Sequence, residues 1–78
     1  MRLILYQRDH CPLCDHALAV LAAAHAPEFE TVWIDGDAAL EARYGTRVPV
    51  LRDDSAAREL DWPFAPPDVT AFVREAPR

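Results

Sequence analysis

The tetrad Cys11-Pro12-Leu13-Cys14 constrains the fold of this chain more than any other feature, because of what flanks it. Before it, Leu3-Ile4-Leu5-Tyr6 is a short, wholly apolar run of the kind that forms a buried central strand. A polar stretch, Gln7 to His10, follows. After it comes a helical segment. Pro12 suits a first helical position, where its missing N–H has no partner to lose. Leu18, Leu21 and His25 follow Cys14 at spacings of four, three and four, which predicts one helix face. Alanines at 17, 19, 22, 23, 24 and 26 raise helix propensity, and Pro27 ends the segment. The pair of cysteines thus falls where a strand hands over to a helix.

The remainder reads as short alternating elements. Phe29 to Ile34 is β-branched and alternating, which predicts a second strand. Asp35-Gly36-Asp37 turns the chain, and Asp37 can cap a helix from Ala38 to Tyr44 that Gly45 ends at the C′ position. Val48 to Arg52 predicts a third strand, Asp53-Asp54-Ser55 a solvated turn, and Arg58 to Asp61 a fourth strand. Trp62-Pro63-Phe64-Ala65-Pro66-Pro67 is a stiff connector. A last helix starts at Pro67 or Asp68, with Val69, Phe72 and Val73 facing inward. The order β-α-β-α-β-β-α implies an α/β protein with a mixed four-stranded sheet flanked by helices. Its first β-α-β unit is a right-handed parallel crossover and its last two strands form a hairpin.

With 78 residues the expectation is one domain spanning 1–78, since a second core would not fit. The net charge is −5, and the eight basic residues, all arginine, are scattered along the chain. Nucleic acid and anionic membrane are therefore poor partners. The N-terminus has one charge followed by four apolar residues, fewer than the roughly 7–15 of a secretory h-region, so the chain is expected to be cytoplasmic. A reducing compartment disfavours a structural disulfide. The cysteines are then catalytic, metal-binding or incidental, and a CxxC beside a βαβ pattern favours redox chemistry. A thiolate at a helix start meets unpaired N–H groups and the positive end of the helix dipole. Both lower the pKa of Cys11. Cys14, one turn further in, should be more buried. Arg8 and His10 can help the thiolate; Asp9 and Asp15 oppose it.

The local residue types also admit other readings. His10-Cys11-Pro12-Leu13-Cys14-Asp15-His16 is rich in metal ligands, but zinc prefers four and no second cysteine pair exists. Asp15 after Cys14 excludes a c-type haem motif. His10 lines the site or sits in a solvated loop; His16 and His25 are helix-surface or core-edge residues. Trp62 and Phe64 either anchor the last helix on the sheet or form an apolar platform beside the cysteines.

Tyr6-Gln7-Arg8-Asp9-His10-Cys11-Pro12-Leu13-Cys14 resembles the strand-and-active-site segment of glutaredoxins, with Arg8 where they usually carry lysine. Thr46-Arg47-Val48-Pro49-Val50-Leu51 resembles their Thr-Val-Pro segment. The resemblance implies a thioredoxin fold with a cis proline at Pro49 facing the cysteines. It implies catalysis by Cys11 and Cys14, and substrate contacts from Arg8, Pro12, Leu13, Val48 and Pro49, to which Trp62 adds as platform. Two departures stand out. Arg47 replaces a threonine, and Trp62-Pro63-Phe64 occupies the place of the Gly-Gly segment that helps glutaredoxins hold the glutathione carboxylate; Asp68 is a remnant of that feature. The expected function is thiol–disulfide exchange with protein disulfides or glutathione mixed disulfides, by a monomer with no bound cofactor and with glutathione as a candidate co-substrate. The alternatives are a redox-inert adaptor and a metal or iron–sulfur carrier using Cys11.

Overall fold

The protein is described by a computed structural model over residues 1–75. Its elements run β1 (Leu3–Gln7), α1 (Pro12–Ala23), β2 (Phe29–Trp33), α2 (Ala38–Tyr44), β3 (Val50–Asp53), β4 (Arg58–Asp61) and α3 (Pro66–Arg74). The expected order holds. The sheet runs β2-β1-β3-β4, with β1–β2 parallel and the other two pairings antiparallel. This is a thioredoxin-like arrangement.

β1 is apolar from Leu3 to Tyr6 because both its faces are covered. Leu3 and Leu5 join Leu51, Ala17, Leu21, Phe64, Val69 and Phe72 in the core between the sheet and α1 and α3. Tyr6 packs on the other face with Ile34, Tyr44 and Val50, beneath α2. Asp37 caps α2 as expected, its carboxylate accepting from the Ala39 and Leu40 N–H groups at 3.1 Å. Gly36 takes the left-handed conformation, φ +78°, that its turn requires.

The structure corrects several expectations. α1 ends at Ala23, and His25 lies beyond it in a left-handed conformation, φ 51°. The buried face of α1 is Cys14, Ala17 and Leu21, while Leu18 and His25 are exposed. The wider α1 face toward the sheet is completed by Val20 and Ala24, which turns Leu18 outward. Gly45 is the C-cap of α2 and keeps right-handed angles, φ −53°, rather than a left-handed C′ conformation. Its missing Cβ matters for a different reason, since a Cβ would collide with the Glu41 carbonyl. β3 begins two residues late because Pro49 has no N–H for the ladder and the Val48 N–H donates to Tyr44 O at 3.0 Å. α3 starts at Pro66. Asp53 is not in a solvated turn. It ends β3, is 1% exposed, and accepts from Ser55 Oγ at 2.6 Å and Ser55 N at 3.2 Å. These hydrogen bonds pull its carboxyl below the usual range.

A charged network binds α2 and the loop after it to the β3–β4 hairpin. Glu59 accepts from Tyr44 Oη at 2.6 Å, Arg47 Nη2 at 2.7 Å and Arg52 Nη1 at 2.9 Å. Tyr44 also stacks on Tyr6, with ring centroids 4.2 Å apart. Burial alone would raise the Glu59 pKa, but the three donors outweigh it and hold it at about 2. A depressed carboxylate stabilises the fold fully above its unfolded pKa, near 4.5, and the contribution is lost as pH falls from there toward about 2. Urea melts should therefore lose roughly 2–3 kcal/mol through this group across that window. Glu59→Gln should be less stable at neutral pH, because cations are left unpaired, and should show a shallower acid decline. An unchanged acid slope in Glu59→Gln would contradict this account.

Candidate functional site

Sheet register gathers the candidate residues at one end of the molecule. Tyr6, next to the end of β1, pairs with Val50 at the start of β3, and Val50 pairs with Asp61 at the end of β4. The chain leaves β1 at this end into the turn that carries Cys11, enters β3 here from Val48-Pro49, and leaves β4 here into Trp62. β2, parallel to β1, delivers Trp33 to the same end.

Cys11 and Cys14 form a disulfide with Cα atoms 5.2 Å apart. Cys11 is the N-cap of α1, with extended backbone angles, and its Sγ accepts the Cys14 N–H at 3.2 Å. Its carbonyl accepts from both Cys14 N and Asp15 N. The strand-to-helix handover thus aims the Cys14 N–H and the positive end of the α1 dipole at the Cys11 sulfur, which favours a negative charge there. The two sulfurs differ in access. Cys11 is half-buried, whereas Cys14 is 1% exposed in the core face of α1. Pro12 occupies the first helical position and is exposed, as is Leu13 beside it.

The Val48–Pro49 bond is cis, as the resemblance implies, and Pro49 is fully buried. The Trp62–Pro63 bond is also cis, which the sequence reading did not foresee. Trp62 is half-buried against the main core and meets Phe64 edge-to-face, with centroids 5.0 Å apart. Phe64 is buried, which assigns it to anchoring.

Other residues singled out in the sequence have structural employment or none. Arg8 lies at this end but turns into the protein. Its Nη1 pairs with Glu41 Oε1 at 2.8 Å and lies 3.8 Å from Asp35 Oδ1, and its Nη2 donates to Gly45 O at 3.1 Å. Asp68 is consumed as well, its carboxylate accepting the Ala65 N–H at 2.8 Å where α3 begins. Arg47 is clamped to Asp61 and Glu59. His10 takes a left-handed conformation, φ 52°, and its side chain is exposed; His16 is exposed on α1. Among the described residues no group of three or more His, Cys, Asp or Glu side chains is disposed to hold a metal ion.

Sequence reasoning missed Glu41 and Asp35, which hold Arg8, and the Asp35 carboxylate that accepts the Asp9 N–H at 2.8 Å. No local pattern signals these contacts. Arg8 and Gly45 are 37 positions apart and meet only because β1 and α2 end side by side.

Comparison with known proteins agrees with this geometry. The profile of the glutaredoxin-like domain (DUF836) matches residues 2–74. The X-ray structure of the structural genomics target XcR50 from X. campestris is 59% identical, with TM-score 0.91, covering 96% of this chain and 99% of that one. The solution structure of XcR50 is 58% identical, with TM-score 0.89, and covers 100% and 99%. The solution structure of protein Ne2328 from Nitrosomonas europaea is 33% identical, with TM-score 0.75, and covers 92% and 88%. No curated protein matches. On a family profile that spans nearly its whole length, and on solved relatives of the same fold that are 59% and 33% identical to it, the chain belongs to the glutaredoxin-like domain family.

Proposed function

We propose that this protein is a thiol–disulfide oxidoreductase in which Cys11 attacks and Cys14 resolves. The observation that carries this reading is the asymmetry of the pair: an N-cap sulfur within reach of a helix-terminal N–H, and a second sulfur buried one turn below it. In the reduced protein the Cys11 thiolate forms a bond to one sulfur of a substrate disulfide. The substrate S–S bond breaks, and the departing thiolate takes a proton. The Cys14 thiolate, its proton released to solvent, then attacks Cys11 Sγ and expels the second substrate thiol. Two electrons and two protons pass to the substrate, and the Cys11–Cys14 disulfide remains. A thiol reductant returns the protein to the dithiol.

The neighbouring residues take roles in the same scheme. Pro12 and Leu13 present exposed apolar surface beside Cys11. Val48 offers its carbonyl to an extended substrate backbone, since its N–H is already bound to Tyr44 O. Trp62 supplies the half-exposed side of an aromatic contact. Substrates are protein disulfides or glutathione mixed disulfides. Activity in a glutathione-coupled assay is expected to be weak beside a typical glutaredoxin, because Pro63 lacks an N–H to donate and Asp68 is engaged in capping α3.

Trapping tests the assignment. A Cys14→Ser variant should accumulate a mixed disulfide on Cys11 when mixed with an oxidised protein substrate, and mass spectrometry should locate the adduct there. Adducts on Cys14 of a Cys11→Ser variant forming equally fast would reverse the roles and sink the proposed order.

A further inference from the structure

The cation nearest the redox pair in sequence is not available to a substrate. Arg8, three residues before Cys11, is spent within the protein on Glu41, Asp35 and Gly45 O. Its partner oxygen, Glu41 Oε1, is shielded from solvent. The two side chains are 35% and 38% exposed, so this half-buried pair at 2.8 Å is screened less than a fully exposed one. The arginines that α2 and the loop after it bring toward this end are also paired: Arg43 with Glu59, Arg47 with Glu59 and Asp61. The carboxylates beside Cys11 are less committed. Asp9, two residues before it, has a side chain 74% exposed, and Asp15 is exposed in the first turn of α1.

We propose that Glu41 is a specificity-determining residue: by holding Arg8 in a half-buried ion pair it leaves the Cys11–Cys14 pair selective for disulfides flanked by cationic groups and against anionic ones. The inference rests on the oxidoreductase reading and names its substrate class. Charge acts here on encounter and on the mixed-disulfide step, where the substrate's charged groups come nearest to Asp9 and Asp15. Glu41 touches no reacting atom. It acts through Arg8, as a positioning residue.

The test uses the fully reduced protein and three small disulfides of similar size: cystamine, which is dicationic, 2-hydroxyethyl disulfide, which is neutral, and 3,3′-dithiodipropionate, which is dianionic. Each is reduced to two thiols at the expense of the Cys11–Cys14 dithiol. Rates are divided by those of dithiothreitol with the same disulfide, which removes intrinsic reactivity. At low salt the normalised preference for cystamine over dithiodipropionate should be about tenfold, and added salt should compress it. Glu41→Gln should reduce the preference several-fold by accelerating the dianionic arm, with the neutral arm unchanged. Adding Arg8→Gln to that variant should remove the gain, which a merely structural effect of Glu41 would not do. A wild-type preference equal to that of dithiothreitol, with the neutral disulfide reduced normally, overturns the inference and leaves the oxidoreductase reading standing. Failure of the wild type to reduce any of the three overturns both. The wild-type salt series needs no variant, so it decides the matter even if Glu41→Gln folds poorly.

Discussion

Serine at Cys11 is expected to bring disulfide exchange down by about 10³-fold or more, because the thiolate and not a hydroxyl is the attacking species. The reduced protein should melt almost as the parent does, since Cys11 is half-buried at a helix N-cap, a position where a serine hydroxyl accepts the same N–H. Loss of exchange with an intact fold separates chemistry from structure. Serine at Cys14 should behave differently. Attack by Cys11 survives, turnover stops, and the mixed disulfide persists. Burial of Cys14 places this variant in the core face of α1, so a modest stability loss accompanies it. Stopped-flow exchange beside thermal melts of both variants checks the pair of expectations. A Cys11→Ser protein that still exchanges at the parental rate would remove Cys11 from the mechanism.

The largest effect on stability is expected at Phe64. Its ring fills the core between Leu51, Val69 and Phe72 and receives the edge contact with Trp62. Truncation to alanine should cost about 3–5 kcal/mol. A chain of this length has no more than about 4–12 kcal/mol in total, at ~0.05–0.15 kcal/mol per residue. Phe64→Ala should therefore lower the melting temperature by on the order of 15–30 °C or leave the chain unfolded. Trp62→Ala should cost less, roughly 1–3 kcal/mol, because Trp62 keeps part of its surface in solvent. If Trp62 also receives substrate, its variant should slow reduction of a protein disulfide more than its stability loss explains. Parental melting of Phe64→Ala would contradict the packing described here.

Where short-range chemistry decides a feature, the sequence announces it. Asp37 before an apolar-periodic segment marks the α2 cap, and Arg58 to Asp61 marks β4 to the residue. The strand–CxxC–helix arrangement and the Val-Pro step mark the site for the same reason. Features decided by distant partners were not legible. Asp53 reads as turn-like because two aspartates and a serine adjoin, yet it pairs with Leu3 across the β1–β3 ladder and is buried there. Leu18 reads as core by spacing, but α1 is rotated by its contacts with α3 and the sheet. Arg8 reads as a free cation near a thiolate, and only the tertiary approach of α2 shows it paired with Glu41.

The central claim is that Cys11 and Cys14 form a reversible redox couple with Cys11 as the reactive sulfur. A redox titration in glutathione or dithiothreitol buffers, quenched by alkylation and read by mass spectrometry, tests it most directly. The account predicts a two-electron transition between roughly −200 and −270 mV, the range of thiol carriers, with Cys11 alkylated faster at neutral pH than a free cysteine in an unstructured peptide. Absence of any Cys11–Cys14 disulfide under mild oxidation, together with alkylation of Cys11 no faster than the peptide, would contradict it.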